Sequence, residues 1–306
     1  LTNSKSFYTE PTNASRTMLM DLSTSEWSKE MCDILEVPKE SLPEIKNSFD
    51  HFGVTSNLDF LPDGIPITGI LGDQQSALFG QGGIEESDLK CTYGTGAFAL
   101  LNTGKEIKYS KNGLLTTVAY KYKNETSYAI EGSSYIAGAA VQWLRDNLGI
   151  LESAPQIEEF ANKVSNEKEM ENICFYPYFT GLGSPYWKSE ALASIQGISR
   201  DSNINHISRA CLESIALTID DLIIAMEKDS NSKIKNLRVD GGAVANNLLN
   251  QLQANFSNLT VQRPEVIETT AFGAILACAL GLGKIDISEV KRFSKVEKEY
   301  SPDSNP

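Results

Sequence analysis

Between residues 236 and 280 the chain alternates in a way that restricts its fold. A strand pattern over 236–239 is followed by the turn Asp240-Gly241-Gly242, a helical pattern over 247–255, a strand over 259–261 and a helix over 270–280. Strands separated by helices of this length pack as a sheet with helices on its faces, so the class is α/β. The longest helical pattern, over 205–226, places Ile207, Cys211, Leu212, Ile215, Ile219, Leu222 and Ile223 on one inward face.

Upstream, residues 89–102 predict two strands around the turn Tyr93-Gly94-Thr95-Gly96, and 114–123 and 126–131 continue the β region. Val141, Leu144 and Leu148 mark a helix, 154–164 a weaker one, 175–179 an aromatic strand and 181–193 a loop. Residues 65–71 predict a buried strand ended by Gly72, and 74–80 the helix after it, which puts Asp73 near a helix's positive end. Near the start, Ser23 and Glu26 have capping-box spacing, with Trp27, Met31, Ile34 and Leu35 on one helical face. The polar tail after Glu297 is expected to fray, and no internal repeat is present.

Composition removes several chemistries. With 27 Lys and Arg against 40 Asp and Glu in 306 residues, the net charge of −13 opposes nonspecific contact with nucleic acid or anionic membranes. The two histidines, His51 and His206, lack companions at ligand spacing, so clustered His metal sites and His-based triads are poorly supported. Five scattered cysteines without a CxxC pair fit reduced thiols and a cytoplasmic setting. The apolar run 271–283 is shorter than a bilayer span and carries three glycines, which fits a buried helix. No secretory signal is visible, and a start at Leu1 rather than Met suggests that the natural amino terminus is missing.

Three motifs could carry chemistry. In Gly72-Asp73-Gln74-Gln75 an acid and two amides emerge where a strand hands over to a helix. Asp73 could take a proton from a hydroxyl, or simply cap the helix. In Tyr93-Gly94-Thr95-Gly96 the glycines allow backbone N–H groups and the Thr95 hydroxyl to face a phosphate, or form a plain hairpin turn. In the segment from Asp240 to Asn247, paired glycines allow close approach of a flat ligand whose edge Asn246 could read, or Asn246 caps the next helix. The spacing matches neither GxGxxG nor GxxxxGK[ST]. Gly138, Gln142 and Arg145 read as a solvated helix face, and Phe179, Pro185, Tyr186 and Trp187 as interior packing in preference to a loop that closes over a sugar.

Taken in order, these motifs resemble the FGGY carbohydrate kinases, and within them the members that phosphorylate glycerol. The resemblance rests on Thr12-Asn13-Ala14-Ser15-Arg16-Thr17, Gly72-Asp73-Gln74-Gln75, Tyr93-Gly94-Thr95-Gly96, Gln142-Trp143-Leu144-Arg145, Phe179-Thr180-Gly181-Leu182 and the segment from Arg238 to Asn247, and it spans nearly the whole chain. It implies an actin-like, ribonuclease-H-like α/β ATPase domain over 84–285, the end of a second such domain over 1–83, and a tail over 286–306 leading toward a missing final helix. Asp73 is then the general base on glycerol, with Gln74 holding the polyol and Phe98 on its carbon skeleton. Thr95 faces the phosphates of ATP, and Gly138, Gln142, Gly242 and Asn246 line its adenosine pocket. Mg²⁺ arrives with ATP, and a homo-oligomer is conceivable for the full-length protein.

The same resemblance has gaps. The family's amino-terminal Asp-x-Gly-Thr hairpin and the upstream Arg, Glu and Tyr that hold glycerol have no counterpart in these residues. The chain is therefore expected to be incomplete and to have negligible kinase activity by itself. No fructose-bisphosphate loop lies between Phe52 and Pro66, Asp59 stands where some members carry a phosphorylatable His, and Lys188 replaces an Asp in the aromatic loop. Another polyol or a pentulose as substrate, a nucleotide-binding module without catalysis, and a purely structural role are the rival readings.

Overall fold

The computed structural model describes residues 1–164, 170 and 172–303. Seven strands form its central sheet: β1 (Leu89–Tyr93), β2 (Ala97–Gly104), β3 (Leu115–Tyr122), β4 (Glu125–Ser134), β5 (Asn236–Asp240), β6 (Thr260–Pro264) and β7 (Val296–Tyr300). Their spatial order is β7-β6-β5-β1-β2-β4-β3. β5 lies parallel to both β1 and β6, while every other pairing is antiparallel.

Side-chain alternation along β1 divides the sheet's two faces. Leu89, Cys91 and Tyr93 point into the larger core. That core is closed by α2 (Gly138–Asp146), α3 (Gln156–Ala161), α4 (Ile204–Ser230) and α5 (Asn247–Ser257). The opposite face carries Leu100, Ala119 and Ala129 against Leu78 of α1 (Asp73–Gly80). Phe79 of α1 packs with Leu276, Ala277 and Leu280 of α6 (Thr269–Gly281) in a cluster that also holds Phe49 and Val290. Lys90, between Leu89 and Cys91, faces this second layer although its exposure is 0%.

Helix boundaries follow local chemistry. Asn203 begins α4, its side chain accepting from the Asn205 N–H while His206 Nδ1 accepts from the Asn203 N–H. His206 thus belongs to a helix start. Six of the seven apolar residues expected to face inward on α4 are buried, and Ile207 is half-buried against them.

Several expectations fail. Helix Lys29–Ile34 is capped by Ser28 rather than Ser23, because Glu26 and Trp27 pair with Met20 and Asp21 as a two-residue ladder. Ile34 and Leu35 are exposed, and Cys32 is the buried residue of that helix. Only Pro66–Ile67 of the expected strand 65–71 is strand, since the only partner that it meets among the described residues is Gly53–Val54. The tail does not fray after Glu297: β7 extends to Tyr300, whose buried ring and ladder with β6 hold it. Helix Val290–Phe293 also precedes it. Tyr186 and Trp187 are exposed rather than packed inside, Trp187 donating its Nε1–H to the Gly113 carbonyl (2.6 Å).

Candidate functional site around the Tyr93–Gly96 hairpin

The β1–β2 hairpin separates two groups of the residues singled out above. On one side is a cleft of about 390 Å³ lined by Thr95, Gly138, Gln142, Gly242 and Asn246, together with Tyr93, Arg145, Pro155, Glu158, Leu212, Ile215 and Leu249. This volume lies within the range of small-molecule sites. Its walls come from five separate stretches of chain, and its greasy floor from α3, α4 and α5.

Backbone bonds hold this cleft together. The N–H groups of Ala137 and Ala139 donate to the Thr95 carbonyl (2.8 and 3.0 Å), and that of Gly138 donates to the Gly94 carbonyl (2.9 Å). The hairpin carbonyls are thereby used by the start of α2, and the Thr95 side chain stays exposed at the tip. A Cβ at Gly138 would stand 2.6 Å from the Gly94 oxygen, so only glycine allows this approach. Asn246 is also the cap of α5: its Oδ1 accepts from the Leu249 N–H (2.8 Å). Capping fixes the amide by its oxygen and leaves Nδ2 as the free donor, so the two readings of Asn246 are compatible. Glu158 reaches from α3 to accept from the N–H groups of Asn247 and Leu248 (3.1 and 3.2 Å). Arg145 is committed to its neighbour Asp146 through two bonds (2.6 and 2.8 Å).

On the other side of the hairpin stand Asp73, Gln74 and Phe98. Gly72 occupies the cap position of α1 and Asp73 its first turn, so Asp73 is not the cap. Its Oδ1 accepts from the Gln74 N–H (2.8 Å), and the residue is exposed. Phe98 pairs with Thr92 in the ladder and is half-buried on the face toward α1. Lys90 connects these residues. Its ammonium donates to Gln74 Oε1 (2.6 Å), to the Thr92 hydroxyl (2.9 Å) and to the Phe98 carbonyl (3.4 Å). Burial pushes the Lys90 ammonium down from its ordinary range, opposed by the charges of Asp240, Glu131 and Asp73. Burial likewise pushes the Asp240 carboxyl up, opposed by the Lys90 charge and by Thr92 and Gln81.

Two supports of this arrangement escape a reading by spacing. Lys90 looks like a solvated residue on an alternating strand, and only the layer of α1 and α6 reveals that it is covered. Glu10 looks like one more surface acid, yet its exposure is 0%. Its carboxylate accepts from the N–H groups of Thr12 and Asn13 (2.9 and 2.8 Å), from Asn13 Nδ2 (2.8 Å), from Ser48 (2.7 Å) and from the Thr12 hydroxyl. Thr12 in turn accepts the Gly72 N–H (2.8 Å), one residue before Asp73. The Glu10-Pro11-Thr12 motif thus anchors the start of α1. Among the described residues no three His, Cys, Asp or Glu side chains are grouped to hold a metal ion, and no helix is long and apolar enough to cross a membrane.

Comparison with known proteins extends these observations. The chain is 49% identical over its whole length to a glycerol kinase of Bdellovibrio bacteriovorus and 48% identical to one of Myxococcus xanthus. It spans about three fifths of the length of these relatives, 62% of each. Among solved structures, Plasmodium falciparum glycerol kinase with ADP superposes on 96% of this chain and 59% of its own, with a TM-score of 0.88 and 36% identity. A xylulose kinase of Lactobacillus acidophilus shares the fold, with a TM-score of 0.84 at 22% identity, over 97% of this chain and 60% of its own. The fold is that of the actin-like ATPases seen in these sugar kinases. The amino-terminal domain of the FGGY carbohydrate kinases matches residues 1–80 and their carboxyl-terminal domain residues 89–282. Since the second match alone takes in more than half of its residues, the chain belongs to the FGGY family of carbohydrate kinases.

Proposed function

We propose that the full-length protein transfers the γ-phosphoryl group of ATP to a terminal hydroxyl of glycerol, giving sn-glycerol 3-phosphate and ADP. The observation that carries this reading is the division of the site by the Tyr93–Gly96 hairpin: an exposed carboxylate beside an amide on one side, and the cleft holding Gly242 and Asn246 on the other. Transfer then occurs at the hairpin tip, where Thr95 is exposed. The choice of glycerol over another polyol is supported by relatives named glycerol kinase at 48–49% identity along the entire chain.

In this reading the adenosine enters the apolar cleft, with Gly242 and Gly138 allowing close approach and Asn246 Nδ2 donating to it. Asp73 takes the proton from the attacking hydroxyl as its oxygen bonds to the γ-phosphorus and the bond to the bridging oxygen of ADP breaks. Gln74 holds a neighbouring hydroxyl, and Phe98 packs on the carbon skeleton. The negative charge of the chain does not prevent nucleotide binding, because backbone amides of the glycine-rich hairpin and the cation that the nucleotide carries offset the phosphate charge locally. Mg²⁺ would arrive with the nucleotide and offset the charge of its phosphates.

The test is Asp73→Asn in the full-length protein. Binding of nucleotide and glycerol should survive, while kcat falls by roughly 10²–10⁴, the usual contribution of a general base. Turnover close to that of the unaltered protein would remove Asp73 from this role. A substrate panel of glycerol, other polyols and pentuloses decides the acceptor.

A further inference from the structure

A fully buried lysine in a core layer needs a reason. Burying an ammonium is unfavourable unless its surroundings compensate. Among the described residues no carboxylate lies within ion-pair distance of Lys90 Nζ, so that compensation is not a salt bridge. A methionine or leucine would fill the same space beside Leu100, its partner in the ladder. What Lys90 has instead is three oxygen partners, those of Gln74, Thr92 and Phe98, and an ammonium has three donors.

The Gln74 contact has a chemical consequence. A side-chain amide can present either its oxygen or its NH₂, and in an open cleft it would do both. An ammonium only donates, so at 2.6 Å it can accept only one of the two orientations, the one with Gln74 Oε1 turned inward. The NH₂ group is then the end of the amide left to bind a ligand, next in the chain to the Asp73 carboxylate, which can only accept.

We propose that Lys90 is a positioning residue for the acceptor substrate: it fixes the Gln74 amide so that Asp73 and Gln74 offer one acceptor and one donor to adjacent hydroxyls of a polyol. This rests on the polyol reading above. The hydroxyl that donates to Asp73 becomes the nucleophile, and its neighbour accepts from Gln74. The fixed polarity favours a vicinal diol with a free terminal hydroxyl and orients it in one direction. The same ammonium holds the Phe98 carbonyl, tying the backbone of this aromatic residue to the amide.

The experiment is a double-mutant cycle in the full-length protein with Lys90→Met, Gln74→Ala and the pair, measuring kcat and the KM values for glycerol and ATP separately. Lys90→Met should raise the KM for glycerol on the order of tenfold and leave the KM for ATP within about twofold. In the Gln74→Ala background the same substitution should add less than about twofold, because the amide it orients is gone. An unchanged KM for glycerol, additive effects, or equal losses for both substrates would overturn the assignment. A readout independent of turnover is the Gln74 side-chain NH₂ resonance in ¹⁵N-glutamine-labelled protein, identified by its loss in Gln74→Ala. Lys90→Met should shift or broaden it, and an unaltered resonance overturns the proposal. Wild-type protein that phosphorylates no polyol sinks the functional reading, while the resonance still decides whether Lys90 orients the amide.

Discussion

Gly241 lies so close to Tyr93 that a Cβ built on it would stand 2.5 Å from the Tyr93 carbonyl oxygen, whereas its neighbour Gly242 meets nothing within 4 Å. Gly241 also has φ 89° and ψ 171°, a conformation that only glycine adopts readily. The two glycines of one motif therefore serve different ends. Gly241 lets β5 turn against β1, and Gly242 opens the wall of the cleft. Gly241→Ala should destabilise the fold by about 3 kcal/mol, visible in a denaturant titration. Gly242→Ala should melt within a few degrees of the unaltered protein and weaken nucleotide binding on the order of tenfold by calorimetry. Equal loss of stability in both would contradict this division.

Thr12 and Gly72, sixty positions apart in the chain, are joined by one hydrogen bond, and Thr12 is itself held by Glu10. Thr12→Val keeps the shape and leaves the half-buried Gly72 N–H and the buried Glu10 carboxylate each without a partner, so a loss of about 1–3 kcal/mol is expected. Since Gly72 precedes Asp73, kcat of the full-length protein should fall as well. Thr12→Ser, which keeps the hydroxyl, should restore both the melting temperature and kcat.

Asp220, half-buried on α4, has its carboxyl pushed up to about 6 by burial, with the charges of Asp221 and Glu227 adding to the effect. Between the ordinary value of 3.8 and about 6 the folded chain binds a proton that the unfolded chain releases. Its contribution to stability therefore declines as pH rises through that window, and above it the ionised group is a net penalty. Asp220→Asn should stabilise the protein at pH 7–8 and make little difference below pH 4. Thermal melts across that range check the sign.

Cys91 and Cys211 are fully buried, and burial pushes both thiols up to about 12. At pH 8 only about one in ten thousand would be thiolate, the form that alkylates. Cys174 is exposed and Cys278 half-buried. Brief iodoacetamide treatment followed by peptide mass mapping should label Cys174 first and spare Cys91 and Cys211 until the protein is unfolded. Early labelling of Cys91 would show that the layer over β1 opens readily.

Much of this molecule follows from short-range pattern. The strands and helices from Asn236 to Gly281 are within a few residues of where periodicity puts them, because each is decided by neighbours three or four positions away or by alternation. The Tyr93–Gly96 turn and the start of α1 at Asp73 are legible for the same reason. Local pattern misleads where a residue's partner is distant in the chain. Trp27 looks helical but pairs with Met20, and the polar stretch ending at Tyr300 looks frayed but is an edge strand on β6. Tyr186 and Trp187 look like core and lie at the surface.

For the site, the sequence by itself determined which residue types stand at the ends of strands and starts of helices: Asp73 and Gln74, Thr95, Gly242 and Asn246. These depend on local turn chemistry and on glycines whose role is steric. Only the tertiary structure decided that Glu10 and Lys90 are buried, that Thr12 anchors Gly72, and that one amide oxygen of Gln74 is already taken. Burial of a charge depends on which layers cover it, and those layers come from segments tens to hundreds of residues away. A charged letter in a sequence therefore carries no sign of whether it meets water or three fixed oxygen atoms.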